Sequence, residues 1–291
     1  MRLAHIVPVL LLAAAVTSCA SSEPAGHGRT TEPATAGKAA PLPRISLPLD
    51  PYQISDEDFS TVSRALGVLT DRCMERKGFD YDVPAPQDMA TAPTGHERRY
   101  GITVPETAAK HGYHLAGTPI QEQPRSPRSK RYERALTGTG KPLGTPGSFD
   151  DGCTGEAHRE LESGIDMEAV DLPQWYKRES FQRSLEHPRV KTAFASWSDC
   201  MSAAGHHYAS PLDPPEDPEV MGRKVTEHER AVAVADIECK QRTGLVRTWR
   251  DVEAALQRST VTSRAAQLKK ARAQAAKLVA RSSRILAAEG R

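Results

Sequence analysis

Apolar residues recur at intervals of three and four in several parts of the chain, which is the period of an amphipathic α-helix. The first such stretch follows Ser55 and carries on one face Phe59, Val62, Leu66, Leu69 and Cys73. Ser55 suits an N-cap, the three acidic residues after it suit a first helical turn, and Gly78 suits a C-terminal cap. The pattern therefore predicts one helix between Ser55 and Gly78, with Cys73 facing a neighbouring element.

The C-terminal third has a similar pattern. A helix predicted at 189–204 has an apolar stripe formed by Val190, Phe194, Trp197, Cys200 and Met201. The segment 226–229 begins with threonine and ends with glutamate, as in a capping box whose hydroxyl and carboxylate satisfy backbone donors reciprocally. Another helix is predicted from there, and Gly244 inside it predicts a kink or a break. Strong helix formers dominate from Gly244 to about Ala288, which favours helix to that point.

The segments between these helices are rich in proline, glycine and polar residues. Residues 20–50 are mainly Ser, Pro, Ala, Gly and Thr, and they cannot bury enough apolar surface to fold. We interpret them as a tether with an r.m.s. span of about 30 Å. Within residues 79–150 we expect a helix at 104–111 and an exposed loop at 117–147, and a further helix is predicted at 154–164.

The amino terminus has the layout of an export signal. A basic residue, Arg2, precedes an apolar run from Ile6 to Val16 that is too short to span a bilayer. The residues Val-Thr-Ser-Cys at 16–19 resemble the bacterial lipobox. The resemblance implies cleavage after residue 18, a diacylglyceryl group on Cys19 and anchoring in the lipid bilayer. Two acyl chains anchor a protein stably in a membrane, whereas one gives only marginal binding. The alternative is an ordinary cleaved signal peptide in which Cys19 has no role.

The frame Cys-Met-x-x-x-Gly-x-x-Tyr occurs twice, at residues 73–81 and 200–208. Each copy closes a predicted helix with a glycine and then places an aromatic residue that can pack on the last turn. A later cysteine follows each copy, Cys153 after the first and Cys239 after the second, and an aspartate stands three residues before each of them. Two related helical modules are the simplest interpretation.

Four cysteines remain when Cys19 is set aside, and an even number in an exported chain favours disulfides. The repeat predicts the pairs Cys73–Cys153 and Cys200–Cys239. Four cysteines allow three connectivities, so the other two pairings stay open, as does a set of four buried free thiols. On the chain-entropy model, each predicted bridge stabilises the fold by roughly 3.5–4.5 kcal/mol.

The lipobox and the repeat, with the stretches Trp-Ser-Asp-Cys-Met at 197–201 and Asp-Ile-Glu-Cys-Lys-Gln-Arg-Thr-Gly-Leu at 236–245, carry a family resemblance. They resemble a group of secreted lipoproteins common in actinobacteria, of the Streptomyces type. The resemblance covers residues 55–265 and is clearest in the second copy of the repeat. It implies export and a helical, disulfide-bonded body, and it brings no catalytic residues and no established activity.

Composition agrees with a helical protein that has a small core. Aromatic residues make up only 5% of the chain, beside 22 prolines and 20 glycines, so disulfides are expected to matter for stability. We predict an all-α fold of two small disulfide-stapled helical modules with long irregular loops and a long basic C-terminal helix. The expected organisation is a lipoprotein signal peptide (1–18), a disordered tether (19–54), a first helical module (55–187), and a second module with the basic helix (188–291).

No motif predicts catalysis or a cofactor. The chain lacks a Gly-x-Ser-x-Gly elbow, a phosphate-binding loop and a dinucleotide fingerprint. Histidines group only at 206–207 and at His111 and His114, and neither group has a third ligand at a spacing typical of metal sites. We expect no metal, and we interpret these histidines as solvent-facing loop residues. Acidic pairs such as 150–151 are interpreted as solvated residues or helix caps.

Positive charge concentrates at the C-terminal end, although the net charge is only +2. Residues 241–291 contain 12 lysines and arginines against 3 acidic residues. Three interpretations stay open: a solvated face of a packed helix, a protein-binding or coiled-coil element, and a patch for anionic lipid or cell-wall polymer. The first requires packing through Leu245, Trp249, Val252, Leu256, Leu268 and Leu278. Nucleic acid is not expected, because basic and aromatic residues do not interleave and the predicted location is extracytoplasmic.

These features predict a non-enzymatic lipoprotein, anchored through acylated Cys19 on the extracytoplasmic face of the cell membrane. Its expected partner is another envelope component, either an envelope protein or an anionic wall polymer. The alternative is a ligand-binding lipoprotein that serves a transporter. Receptors of that kind usually have two α/β lobes, and strand patterns are missing from this sequence, so the non-enzymatic role is preferred.

Overall fold

The computed structural model describes residues 45–83, 96, 98–115, 129–138 and 151–290. Within these residues the chain forms nine α-helices and no β-strand, which confirms the predicted all-α class. The predicted signal peptide, Cys19 and most of the predicted tether lie outside the described residues. The helices are α1 (Asp56–Arg76), α2 (Pro105–His111), α3 (Lys130–Thr137), α4 (Gly152–Glu162), α5 (Met167–Leu185), α6 (Pro188–Ala203), α7 (Glu227–Thr243), α8 (Leu245–Ser263) and α9 (Ala265–Ala288).

Local sequence explains where several helices begin and end. At the start of α1, Ser55 Oγ accepts a hydrogen bond from the N–H of Asp58 at 3.1 Å. At the start of α7, Thr226 Oγ1 accepts from the N–H of Glu229 at 3.0 Å. Gly244 adopts the left-handed conformation with φ 64°, which ends α7 and lets α8 begin at the next residue. The break predicted at Gly244 is confirmed.

The first apolar core lies between α1, α4, α9 and the start of α5. The Cys73–Cys153 disulfide joins α1 to α4 with a Cα–Cα distance of 5.4 Å. α3 packs on α4 and against this disulfide through Tyr132 and Leu136. The buried apolar side chains of the core are Val62, Ala65, Val68, Leu69, Ala157, Leu161, Leu278 and Leu286.

The second apolar core lies between α6, α7, α8 and the end of α5. Trp197 and Trp249 are fully buried in it, and the Cys200–Cys239 disulfide joins α6 to α7 with a Cα–Cα distance of 5.7 Å. The segment 98–115, which contains α2, lies against α7. This segment contributes four buried side chains to the core: Tyr100, Ile102, Ala108 and Tyr113.

The two disulfide-linked modules share one body. α5 packs on both α8 and α9, and α9, which the sequence places with the second module, packs against α1, α4 and α5. Leu49, Tyr176 and Leu268 form a smaller apolar cluster beside α5 and α9. The described residues between 45 and 290 accordingly belong to one compact unit.

Folded chain begins earlier than the sequence predicts. Residues 45–54 are predicted as tether, yet Leu47 and Leu49 are only 2% and 0% exposed. The N–H of Leu49 donates to Gln257 Oε1 at 3.1 Å. Two leucines form too short a pattern to predict burial from the sequence. Leu49 is buried because side chains of α5, α8 and α9, distant in sequence, pack against it.

Two helices are missing from the sequence prediction. α3 lies inside the segment 117–147 that is predicted as loop. α5 contains Pro173 in its interior, and proline lacks the N–H that a helix needs there. Several buried residues of α5 are polar, namely Lys177, Ser180 and Ser184. Apolar periodicity is therefore weak in this stretch, although it is helical.

One predicted core position of α1 is wrong. Phe59 is 61% exposed, because the buried side of α1 begins at Val62, about one turn further along. The other apolar positions predicted for α1 are buried or partly buried: Val62, Leu66, Leu69 and Cys73.

Candidate functional site

Three carboxylates of the second core have no solvent exposure: Glu229, Asp236 and Glu253. The first two lie on α7 and the third lies on α8. A buried carboxylate is costly unless it is paired and hydrogen-bonded, so such groups are the first candidates for a functional site. All three bind the segment 99–114, which crosses α7 and α8.

Glu253 accepts hydrogen bonds from four different side chains. Arg99 Nε donates to Oε2 at 2.9 Å, and Tyr100 Oη donates to the same oxygen at 2.8 Å. Ser180 Oγ and Gln257 Nε2 donate to Oε1, each at 2.9 Å. Burial, and then the adjacent Glu253 carboxylate, raises the pKa of Tyr100, so this phenol stays protonated and remains a donor. The arrangement neutralises the carboxylate with Arg99 and satisfies both of its oxygens.

Asp236 is enclosed in the same way. Lys240 Nζ donates to it at 2.8 Å from one turn further along α7, Trp197 Nε1 donates at 2.9 Å, and Tyr113 Oη donates at 3.2 Å. Burial raises the pKa of the Asp236 carboxyl, while the Lys240 ammonium acts in the opposite direction. Lys240 Nζ also donates to the carbonyl of Ile102 at 3.2 Å. The cluster holds the crossing segment against α6 and α7.

Glu229 does not form the predicted capping box. Only the hydroxyl half is present, since Thr226 caps α7, while Glu229 Oε1 accepts from the N–H of Tyr113 at 2.8 Å and lies 2.8 Å from His114 Nδ1. Its other oxygen, Oε2, is buried and has no hydrogen-bond partner among the described residues. The side chain of His114 is only 15% exposed, so its interpretation as a solvent-facing loop histidine is wrong.

A fourth polar cluster joins the first folded residues to α5. Lys177 Nζ lies 3.3 Å from Asp50 Oδ1, and His96 Nε2 lies 2.7 Å from the same oxygen. Burial lowers the pKa of Lys177, against the attraction of Asp50. Burial alone would raise the pKa of Asp50, but its hydrogen bonds with His96 and the N–H of Leu47 hold it below its usual value. The cluster fixes the chain just before α1.

The buried carboxylates fit a structural role. General acid–base chemistry needs a group that can come within hydrogen-bond reach of a substrate. Glu253 and Asp236 are enclosed by their own donors and closed to solvent in this conformation. What they do is hold together parts of the chain that lie far apart in sequence.

The histidines named by the sequence do not form a ligand set. Across the residues that the structure describes, no group of three or more His, Cys, Asp or Glu could hold a metal ion. His206 lies near His228, with ring centroids 6.3 Å apart. Burial, followed by the proximity of His228 and His207, lowers the pKa of His206. His111 is the last residue of α2 and is partly exposed.

An open depression lies where the turn between α5 and α6 meets α8. It is lined by Gln182, Arg183, Glu186, His187 and Leu256. Its carboxylate, Glu186, is within 2.5 Å of Lys191 Nζ, and His187 Nδ1 accepts from the N–H of Arg189 at the start of α6. The polar groups therefore serve the local turn and do not converge on a common point.

Both disulfides join the cysteines that the repeat pairs. In each copy the methionine is fully buried, and its carbonyl accepts from the residue after the glycine: Phe79 N–H to Met74 O at 3.0 Å, and His206 N–H to Met201 O at 2.9 Å. The glycine of each copy has a positive φ, 77° in the first and 85° in the second. The repeated frame is thus a helix end of the Schellman type next to a disulfide.

α9 turns its apolar side inward and most of its charge outward. Lys269, Arg272, Lys277 and Arg284 are exposed, and none of their side chains has an ion pair or hydrogen bond to another described residue. The sequence from 254 to 288 contains no aspartate or glutamate. The predicted packing through the apolar residues of this region is confirmed. The buried residues of α9 are Leu268, Ala271, Ala275, Leu278, Ser282 and Leu286.

The start of α9 lies beside Tyr176 of α5 and beside the first described residues. Trp175 is 50% exposed, and its neighbour Tyr176 donates its hydroxyl to Gln267 Oε1 of α9 at 2.8 Å. Leu49 packs with Tyr176 and Leu268. The first described residues, around Leu49, therefore lie beside the N-terminal end of α9.

Among the described residues, no helix has both the length and the apolar character that a membrane crossing requires. In comparisons with known proteins, the chain matches no protein-family model, no curated protein and no solved structure.

Proposed function

We propose that this chain is a membrane-anchored lipoprotein of the bacterial cell envelope, held by acylated Cys19, whose helical body acts without catalysis by contacting another envelope component. The observation that carries the proposal is the lipobox-like stretch at 16–19 together with two disulfides in the folded body. Disulfides form and persist in oxidising compartments outside the cytoplasm, so both features favour export.

The polar chemistry of the body supports a non-enzymatic role. Its fully buried carboxylates are engaged by side chains and backbone of the same chain. The open depression beside α5 brings no acid, base and nucleophile together. Both observations are explained by the need to hold irregular segments against a small apolar core.

A solute-binding role in the service of a transporter is the alternative. Receptor lipoproteins of that kind usually place their ligand between two α/β lobes. The described residues of this chain form helices and no strands, and the depression where α5, α6 and α8 meet is open to solvent. No observation in the body favours this alternative.

Fatty-acid labelling in a bacterial host tests the anchor. Cells that express the full chain are fed an alkyne-labelled fatty acid, and we expect label on the wild type and none on Cys19→Ala. The control is Cys239→Ala, which removes a cysteine of the body and should keep the label. Label that persists on Cys19→Ala, or a protein found in the cytosol with reduced, titratable thiols, contradicts the proposal.

In-cell crosslinking tests the contact. Intact cells that express the wild type or Cys19→Ala are treated with a short crosslinker, and the captured neighbours are identified. We expect a specific envelope component to be enriched with the wild type. Recovery of only bulk lipid and wall material with both proteins contradicts a specific contact.

A further inference from the structure

We propose that the basic face of α9, formed by Lys269, Arg272, Lys277 and Arg284, binds the anionic phospholipid headgroups of the membrane that carries the anchor. The inference rests on the proposed function, because the acylated Cys19 supplies the membrane. The inference specifies which surface of the body contacts the bilayer and which interaction makes that contact.

The basic face is long and smooth enough to lie on a flat surface. At 1.5 Å per residue, the helix from Lys269 to Arg284 spans about 22 Å. Small side chains lie between the four cations and leave them the most protruding groups on this side. The exposed alanines of the stretch are Ala273, Ala276 and Ala280.

The four cations are available to an outside partner. Two other basic residues of α9 are already used, since Lys270 Nζ lies 2.5 Å from Asp166 and Arg281 donates to the carbonyl of Leu161 at 2.8 Å. The basic face has no such partners among the described residues. A lysine or arginine near an anionic membrane surface strengthens binding about fivefold, so four of them together can strengthen it several-hundredfold.

A protein partner fits this face poorly. The centre of a protein interface depends on large apolar or aromatic anchors. The apolar residues of α9 are buried against α1, α4 and α5, so the seam that a coiled coil would need is already occupied. What the helix offers outward is positive charge, whose natural complement is an anionic surface.

The position of α9 favours lipid over a wall polymer. The 25 residues between Cys19 and Ile45 span at most about 85 Å when fully extended, so the anchor keeps the body within reach of the bilayer. The first described residues lie beside the start of α9, where Leu49 packs with Tyr176 and Leu268, and the half-exposed Trp175 directly precedes Tyr176 in α5. Tryptophan prefers the boundary between headgroups and acyl chains, which a hydrated polymer does not have.

Vesicle binding tests the basic face. The chain from residue 19 onward, with Cys19→Ser and oxidised so that both disulfides form, is sedimented with vesicles of equal parts phosphatidylglycerol and phosphatidylcholine, and with vesicles of phosphatidylcholine alone. We expect binding to the anionic vesicles to fall at least 100-fold when glutamine replaces all four cations of the face. Raising the salt from about 0.1 M to about 0.5 M should also weaken the binding of the wild type to anionic vesicles, because salt screens the attraction between charges.

The matched control removes four charges elsewhere. Arg189, Lys224, Arg242 and Arg247 are exposed, lie outside α9, and have no side-chain partner among the described residues. Replacing these four by glutamine lowers the net charge equally, and we expect it to change vesicle binding less than about fivefold. Far-UV circular dichroism and thiol titration show whether both variants keep their helices and disulfides. Equal losses for the two variants overturn the inference.

Trp175 separates a lipid surface from a polymer. Trp197 and Trp249 are fully buried, so quenching by lipids with a spin label near the headgroup reports on Trp175. We expect quenching in the wild type and its loss in Trp175→Phe, while Trp175→Phe still sediments with anionic vesicles. Absence of quenching, or tighter binding to soluble poly(glycerol phosphate) than to vesicles at equal phosphate, overturns the inference in favour of a polymer.

The two proposals fail separately. The vesicle experiment uses Cys19→Ser and does not depend on acylation, whereas fatty-acid labelling does not depend on α9. Labelling of Cys19 without selective vesicle binding removes the inference and leaves the anchor. Selective vesicle binding without labelling of Cys19 removes the proposed function, and with it the membrane that the inference assigns to the basic face.

Discussion

Glu253 is a single side chain that holds three parts of the chain together. Its carboxylate binds Arg99 and Tyr100 of the crossing segment, Ser180 of α5 and Gln257 of α8. The desolvation penalty of a buried charge is offset only while a partner of opposite charge is present. Removing one member of a buried pair costs about 3–5 kcal/mol, because the other charge stays buried without compensation.

We expect Glu253→Gln to lower the free energy of unfolding by about 3 kcal/mol. The substitution leaves the Arg99 charge unpaired, and it points an amide N–H₂ at groups that are themselves donors. Urea denaturation of the oxidised protein, followed by far-UV circular dichroism, measures the change.

The exposed Glu238 of α7 provides the control for this variant. Glu238→Gln changes the charge of the chain equally, and we expect it to alter the free energy of unfolding by less than about 0.5 kcal/mol. If both variants lose the same stability, net charge is responsible and the buried network is not.

At the scale of helices, the junction between α7 and α8 depends on one backbone conformation. Gly244 has φ 64° and a Cβ added there would meet no atom within 4 Å. A lack of room for a side chain therefore does not explain the glycine at this position. The reason is that a residue with a Cβ adopts left-handed dihedral angles only at a cost of about 1–2 kcal/mol.

We expect Gly244→Ala to lower the free energy of unfolding by about 1 kcal/mol and Gly244→Asn to lower it less, since asparagine tolerates this conformation better. The measurement is again urea denaturation of the oxidised protein. Gly222, which does not have a positive φ, is the control, and Gly222→Ala should be neutral or slightly stabilising. Equal effects of alanine and asparagine at position 244 contradict the conformational explanation.

At the scale of the whole molecule, two disulfides reinforce two cores that share α5 and α9. Cys73–Cys153 closes a loop with a sequence separation of 80, and Cys200–Cys239 closes one of 39. On the chain-entropy model these bridges stabilise the fold by about 4.5 and about 3.9 kcal/mol. Either figure is a large part of the 5–15 kcal/mol that holds a typical domain folded.

We expect the replacement of Cys73 and Cys153 by serine to cost about 4.5 kcal/mol, and that of Cys200 and Cys239 to cost about 3.9 kcal/mol. Denaturation of each double variant measures the loss, and fully reduced wild type is the reference in which both bridges are absent. Mass spectrometry of a non-reduced digest identifies the pairs. A peptide that links Cys73 to Cys200 contradicts the pairing within modules.

Several features of the fold could be predicted from neighbouring residues alone. α1, α6 and α7 each have apolar residues at helical spacing and a recognisable N-cap or C-terminal glycine. The break at Gly244 follows from the low helix propensity of glycine. The repeated nine-residue frame favours the observed cysteine pairing over the other two, because one later cysteine follows each copy.

The buried polar clusters could not be predicted in this way. Glu229 looks like half of a capping box in the sequence, yet its carboxylate binds the N–H of Tyr113, which lies 116 residues away. Residue type alone would place Lys177 and Ser180 at the surface, although both are buried. A polar residue is buried only where distant donors or acceptors meet it, and local periodicity contains no information about those partners.

The amino-acid sequence by itself determines the helical class, most helix ends and the concentration of positive charge near the C-terminus, and its repeat favours one of the three possible pairings of the four body cysteines. These properties depend on the spacing of residues within one or two turns or within one repeat. Tertiary structure alone decides that residues 45–54 belong to the body, that α5 is a helix with a polar buried side, and that α9 presents an unpaired basic face. Each of those outcomes depends on contacts between segments that are far apart in the chain. A segment is buried only where another segment, distant in sequence, packs against it.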